Sequence, residues 1–329
     1  MQTFLVTGGA GFIGSHIVSA LLDRGDHVIV LDNLSTGRLS NLDDVGGHPH
    51  FRFVHGSVLD ELLVDELVHK CDVVLHLAAA VGVKLIVEHP LRSFITNIRG
   101  TEIVLEATHR FRRKILLAST SEIYGKNNSD LLQEDSDRIL GSPGVARWSY
   151  STSKAVDEVL AHAYHKERDL PVVIARMFNT VGPGQSAAYG MVIPTLVAQA
   201  VRGEPLTVHG SGRQTRCFCH VIDVVDALMR LVDHPEAVGG TFNIGLAEEI
   251  SILQLAQLIV AHCGSSSEIV LVPYEEAYES GFEDMMRRVP DTTRLRTLTG
   301  WKSTKTLDQI LRETIAEAEL AQAALVSSP

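Results

Sequence analysis

The chain has 329 residues, 45% hydrophobic and 21% charged, with 29 Lys plus Arg against 40 Asp plus Glu and a formal net charge of −11. That length holds one large core or two smaller ones, and the dispersed acidity argues against a nucleic-acid surface, which needs clustered positive charge to meet phosphates. No apolar stretch approaches the ~20 residues that span a bilayer, and Met1 leads into an apolar strand without a basic start or signal-peptide core, so a cytoplasmic protein is expected.

Strand-like and helix-like segments alternate from the beginning. Thr3–Val6 reads as a strand, Phe12–Arg24 as a helix, and His27–Leu31 and Phe51–Val54 as strands. Leu59–Lys70 is helical in pattern, Val73–Leu77 a strand, Ile95–Arg110 a helix and Ile115–Ala118 a strand. Tyr150–Arg168 is a further helix and Val172–Ala175 a further strand. The strands are mostly unbroken Val, Ile and Leu, as parallel strands covered on both faces require. The expected fold is α/β: a doubly wound parallel sheet (Rossmann) with a smaller, discontinuous α/β substrate domain. Past Arg176 the rhythm breaks at Gly182-Pro183-Gly184, Pro194, Pro205 and Gly210-Ser211-Gly212, and it returns at Val221–Val232 and Thr241–Ile244. The spacing assigns 1–176 plus 216–245 to the dinucleotide unit and 177–215 plus 246–329 to the substrate unit. The tail Ala316–Pro329 is small and polar at its end and is expected to fray. Cys71, Cys217, Cys219 and Cys263 lack metal or redox spacing and read as small buried hydrophobes, so no metal is expected.

The turn Thr7-Gly8-Gly9-Ala10-Gly11-Phe12-Ile13-Gly14 follows the first strand. Gly8, Gly11 and Gly14 permit a tight turn and a close backbone approach, and the helix opening at Phe12 and Ile13 offers bare N–H groups to a pyrophosphate. Asp32, after the second strand, can accept both adenosine ribose hydroxyls and would repel a 2′-phosphate, which favours NAD; Arg38 is the one residue pulling the other way. Ser57 and Val58 follow the third strand, where an adenine edge would lie. Leu77, Ala78 and Ala79 follow the fourth, where small residues let a cofactor lie flat.

Tyr150 and Lys154 stand four apart in Tyr150-Ser151-Thr152-Ser153-Lys154, on one helix face. Free tyrosine has a pKa of ~10; a nearby cation lowers it, and the phenolate can then take a proton from an alcohol as hydride leaves its carbon. Thr120 or Ser121, at the end of the fifth strand, can hold the reacting oxygen. Glu122 adds a carboxylate as an acid/base or an orienting group.

These residues together resemble the extended short-chain dehydrogenase/reductases, specifically the nucleotide-sugar epimerases, dehydratases and decarboxylases. The resemblance runs nearly end to end, through the glycine turn, Leu31-Asp32-Asn33-Leu34-Ser35-Thr36-Gly37, His76-Leu77-Ala78-Ala79, Asn97-Ile98-Arg99-Gly100-Thr101, Ser119–Gly125, the Tyr150–Lys154 run, Arg176–Asn179 and Arg216–Asp223. It implies a resident NAD, reduced and reoxidised in each turnover, a UDP- or dTDP-sugar substrate and a homodimer formed by the helices near Ile95–Arg110 and Tyr150–Arg168. Thr120, Tyr150 and Lys154 become the catalytic set. Asn33, Ser35, Thr36, Gly37 and Asn97 join the expected cofactor contacts, and Asn179, Arg216, Arg288, Val81 and Val192 the substrate contacts. Ser57 stands where the family usually has an aspartate touching adenine. Thr120-Ser121-Glu122 departs from the Asp-Glu of dehydratases and matches UDP-glucuronate decarboxylases, but the stretch after Gly182-Pro183 lacks the arginine that decarboxylases use. The resemblance therefore implies C4 epimerisation of UDP-glucuronate to UDP-galacturonate, with UDP-glucose 4-epimerase and UDP-glucuronate decarboxylase as alternatives. A non-catalytic NAD-sensing scaffold would be expected to lose the tyrosine or the lysine, and both are present.

Overall fold

All six strands expected from apolar runs lie in one parallel sheet, and Thr241–Ile244 makes the seventh. The computed structural model describes residues 1–82, 89–277 and 285–327. The strands are β1 (Thr3–Thr7), β2 (His27–Asp32), β3 (Phe51–His55), β4 (Val73–His76), β5 (Lys114–Thr120), β6 (Val172–Met177) and β7 (Thr241–Ile244). Their order is β7-β6-β5-β4-β1-β2-β3, and every neighbouring pair is parallel. The winding reverses between β1 and β4, so the connections leaving their carboxyl ends diverge and open a crevice there.

The helices are α1 (Phe12–Asp23), α2 (Glu61–His69), α3 (Pro90–Arg110), α4 (Ser149–Arg168), α5 (Val192–Val201), α6 (Val221–Asp233), α7 (Ile252–Cys263), α8 (Thr293–Thr299) and α9 (Leu307–Ser327). The strand pleat sorts the apolar residues between two faces. Phe4, Val6, Val28 and Val30 bury against Ile17 and Leu21 of α1 and Val224 and Leu228 of α6. Leu5, Ile29, Leu31 and Leu117 bury on the other face against Leu67 of α2, Val104 of α3 and Ala161 of α4. Each such side chain contributes ~1.5–3 kcal/mol by leaving water, which fixes the strand register on which the site depends. A third core joins Ile193 and Leu196 of α5, Leu255 and Ile259 of α7, and Ile310 and Leu311 of α9.

Local chemistry sets the helix ends. α3 begins at Pro90 rather than Ile95, because proline's missing N–H costs nothing in the first turn. Ser251 and Gln254 close a capping box on α7, and Gly264 ends it in the left-handed region. Two features depart from the sequence expectations. Leu295 and Trp301, placed by the spacing in the substrate unit, bury in the first core beside β7 and α6. Asp223 draws this segment in, accepting from the Thr304 N–H and from the Ser303 and Thr304 hydroxyls. The tail also continues α9 to Ser327, a helix whose first turns are seated by Ile310, Leu311 and Ile315. Among the described residues no helix is long and apolar enough to cross a membrane.

Candidate active site

The crevice at the strand ends opens into a cavity of about 1000 Å³. At one end, β1 stops at Thr7 and α1 starts at Phe12, so the chain reverses over residues 8–11. Gly8 sits at φ +74°, and a Cβ on it would meet the Ala78 backbone at 2.8 Å; one on Gly14 would meet the Gly8 carbonyl oxygen at 2.2 Å. Close approach of turn, helix and β4 thus demands these glycines. No side chain caps the start of α1, so its first N–H groups are left for an anion. Asp32 Oδ2 accepts from the Ala10 N–H at 3.0 Å and Oδ1 from the Leu34 N–H at 2.8 Å. A carboxylate keeps further acceptor sites after those bonds, enough for ribose hydroxyls. Asn33, Ser35, Thr36, Ser57, Val58, Leu77, Ala78 and Ala79 line the same wall, as do Phe12 and Ile13. The donor-rich turn beside a fixed carboxylate fits a dinucleotide without a 2′-phosphate. Gly37 and Asn97 stand outside the wall. Gly37 packs against the Ala10 backbone, and buried Asn97 braces the loop after β4, accepting from the Ala80 N–H at 2.8 Å and donating to Ser153 at 3.2 Å.

At the other end, β5 delivers Thr120 and α4 delivers Tyr150 in its first turn, and the two side chains are hydrogen-bonded. Burial, then the charges of Glu122 and Asp157, push the Tyr150 phenol above its ordinary value, against that bond. The lowering expected from Lys154 is outweighed in the bare protein. Lys154 Nζ is turned to Asp157 Oδ2 at 3.1 Å, with the side chains 3% and 0% exposed, and this buried acid takes up much of the ammonium's field.

Glu122 follows Thr120 on a 3-10 turn and is gripped at both oxygens. Arg147 Nη1 lies 2.5 Å from Oε2, and Arg288 pairs with Oε1. Burial opposes ionisation, but the charges and hydrogen bonds of Arg147 and Arg288 hold the carboxyl well below the usual carboxylate range. It is an ionised carboxylate at neutral pH, not a proton donor. Arg288 Nη2 also donates to Asn179 Oδ1 at 2.7 Å. Arg216 donates to the Thr215 and Met285 carbonyl oxygens. Ser121, Asn179, Val192, Arg216, Arg288 and the half-exposed Val81 all line this part of the cavity.

Sequence reasoning did not single out Arg147 or Asp157 as site residues. Asp157 stands three after Lys154, a spacing that puts both on one helix face, so its signal was present. Thr207, His209, Gln214 and Tyr274, from beyond the sheet unit, complete the far wall. Among the described residues no group of three His, Cys, Asp or Glu could hold a metal.

Comparison with known proteins adds names to this geometry. Residues 4–245 match the NAD dependent epimerase/dehydratase family. The chain is 40% identical over 312 residues to UDP-N-acetyl-alpha-D-glucosaminuronate decarboxylase of Bacillus cytotoxicus, covering 94% of this chain and 96% of that protein. It is 36% identical over 316 residues to UDP-glucuronic acid decarboxylase 1 of Xenopus tropicalis, covering 95% and 71%. Among solved structures it resembles UDP-glucuronic acid 4-epimerase from Bacillus cereus, crystallised as a variant with a UDP-4-deoxy-4-fluoro-glucuronic acid and NAD, at TM-score 0.87 and 28% identity over 97% and 99% of the two chains.

Proposed function

The chain belongs to the NAD dependent epimerase/dehydratase family, and from that premise we propose that it oxidises C4 of a UDP-hexuronate, with UDP-glucuronate as the first candidate, and that the resulting ketone sheds its carboxyl as carbon dioxide. NAD is the cofactor; when bound it supplies the hydride acceptor, the later hydride donor and a positive ring beside the phenol. Thr120 holds the C4 oxygen, and Tyr150 takes its proton and later returns one. Asn179, Arg216 and Arg288 suit the diphosphate and uridine end, where arginine's planar fork meets phosphate with paired bonds. Glu122, ionised between two arginines, is unsuited to donate the proton that dehydration needs.

Once C4 is a ketone, the C6 carboxylate is β to it. The C5–C6 bond then breaks, its electrons pass to the ketone oxygen, carbon dioxide leaves, and C5 takes a proton. Keeping the carboxylate instead requires a partner that pins it in the plane of the ketone. The observation that carries the decarboxylase reading is that Arg147 closes on Glu122 and Lys154 closes on Asp157, so these cations of the reacting end already hold protein carboxylates. The names of the similar curated proteins lean the same way.

Epimerisation to UDP-galacturonate is the second reading. It is favoured by the stretch after Gly182-Pro183, which has no arginine before Arg202, and by the likeness to the Bacillus cereus 4-epimerase. Incubation with UDP-glucuronate, and separately with its 2-acetamido analogue, followed by product NMR, decides between them. A UDP-pentose with carbon dioxide is the expected result; UDP-galacturonate with its carboxyl intact would overturn decarboxylation in favour of the second reading.

A further inference from the structure

The catalytic lysine is the visible end of a buried polar chain. Lys154 Nζ donates to Asp157 Oδ2 at 3.1 Å, and the Thr101 hydroxyl on α3 hydrogen-bonds the same acid. Thr101 Oγ1 lies 3.1 Å from His76 Nε2, and His76 Nδ1 lies 2.8 Å from Thr7 Oγ1. Thr7 Oγ1 also accepts from the Ala78 N–H at 3.3 Å. Burial, with the Lys154 charge adding, pushes the His76 imidazole down to about 3, so it is neutral and has one N–H. One proton arrangement then serves Thr7, His76 and Thr101 together. Thr101 donates to Asp157 and accepts from Nε2–H, and the bare Nδ1 accepts from Thr7; this tautomer is assigned from the network.

We propose that Asp157 is a positioning residue for the C4 oxidation: as the counter-ion of Lys154 it anchors the ammonium to a buried chain rooted in Thr7, at the head of the glycine turn, and so fixes the lysine relative to both phenol and cofactor cradle. The inference rests on Tyr150 being the base. It gives Asp157 a second consequence, because its charge faces the phenol that must ionise.

Among the described residues the charges around Tyr150 are few. On its own helix stand Lys154 and Asp157. Glu122 comes from the turn after β5, with Arg147 and Arg288 closed on it. Arg176 of β6 is closed on Glu158 of α4, and α3 presents the uncharged Thr101 and Asn97. Of these, Glu122 and Asp157 oppose the phenolate. The base form of Tyr150 is the active one, so removing the Asp157 charge favours that form at lower pH.

The test is Asp157→Asn in the NAD-loaded enzyme, which keeps an acceptor for Lys154 Nζ but not the charge. The acidic limb of the kcat/KM profile is expected to move to lower pH by roughly one pH unit. Asp157→Glu, which restores the charge, is expected to return the limb to its wild-type position. A merely structural role would lower Tm and leave the limb in place, so an unmoved or upward-shifted limb in Asp157→Asn overturns the proposal. Should that variant fail to fold, Thr101→Val serves: burial already pushes the Asp157 carboxyl up, and loss of the Thr101 bond pushes it further toward the neutral form. Its limb is expected to move the same way by less, and an unmoved limb again overturns the proposal. Turnover retained in Tyr150→Phe would instead mark failure of the underlying assignment of the base.

Discussion

Tyr150→Phe is expected to fold, hold NAD and lose roughly 10²–10⁴-fold in kcat, the usual contribution of a positioned general base. The ring fills the same buried space at the start of α4, so Tm should change little. What disappears is the oxygen that bonds Thr120 and accepts the substrate proton. The loss should fall on kcat rather than KM, because an interaction made chiefly in the transition state is removed. The checks are melting temperature, cofactor content of the purified protein and turnover of UDP-glucuronate. The phenol is held above its ordinary value in the bare protein, so wild-type activity should fall toward acid, where the tyrosine stays protonated. A variant that turned over at the wild-type rate would remove Tyr150 from the mechanism.

Gly14→Ala is the second large effect. Its Cβ would stand 2.2 Å from the Gly8 carbonyl oxygen, 2.8 Å from the Gly9 Cα and 3.0 Å from the Gly8 carbonyl carbon. All three are backbone atoms of the turn, so no flexible side chain can yield. Either α1 backs away from β1 or the turn opens, and both move the N–H groups aimed at the pyrophosphate. Overpacking of this kind costs ~1–3 kcal/mol, a fall in Tm of several degrees at ~2–4 °C per kcal/mol. Cofactor should be missing from the purified protein, with turnover at least tenfold lower on the same ground of lost backbone contacts. Gly47→Ala is the matched control, since nothing lies within 4 Å of its Cβ position; it should be silent. Retention of full NAD content in Gly14→Ala would refute this account of the turn.

Much of the fold was legible because its determinants are local. Runs rich in Val, Ile and Leu such as His27–Leu31 and Val73–Leu77 announce strands buried on both faces, and Gly8, Gly11 and Gly14 announce the tight turn between β1 and α1. The site was legible where motif and sheet edge coincide, at Thr120, Tyr150 and Lys154. What escaped is non-local. Arg288 reaches Glu122 across 166 residues of sequence, and no periodicity encodes that meeting. Leu295 and Trp301 return to the first core because Asp223 gathers the backbone of residues 304 and 305, a capture that composition does not reveal. The Tyr150 environment differs from the sequence expectation for another reason. The spacing sets Lys154 one turn from the phenol, but Asp157, one turn beyond the lysine, engages it, and only burial shows how strongly.

The most direct measurement uses UDP-glucuronate carrying deuterium at C4. With the holoenzyme in ordinary water, the account predicts a transient rise in absorbance near 340 nm and a UDP-pentose that still carries the deuterium at C4, because the hydride leaves and returns within one turnover. A UDP-pentose bearing protium at C4, formed at full rate, would contradict it.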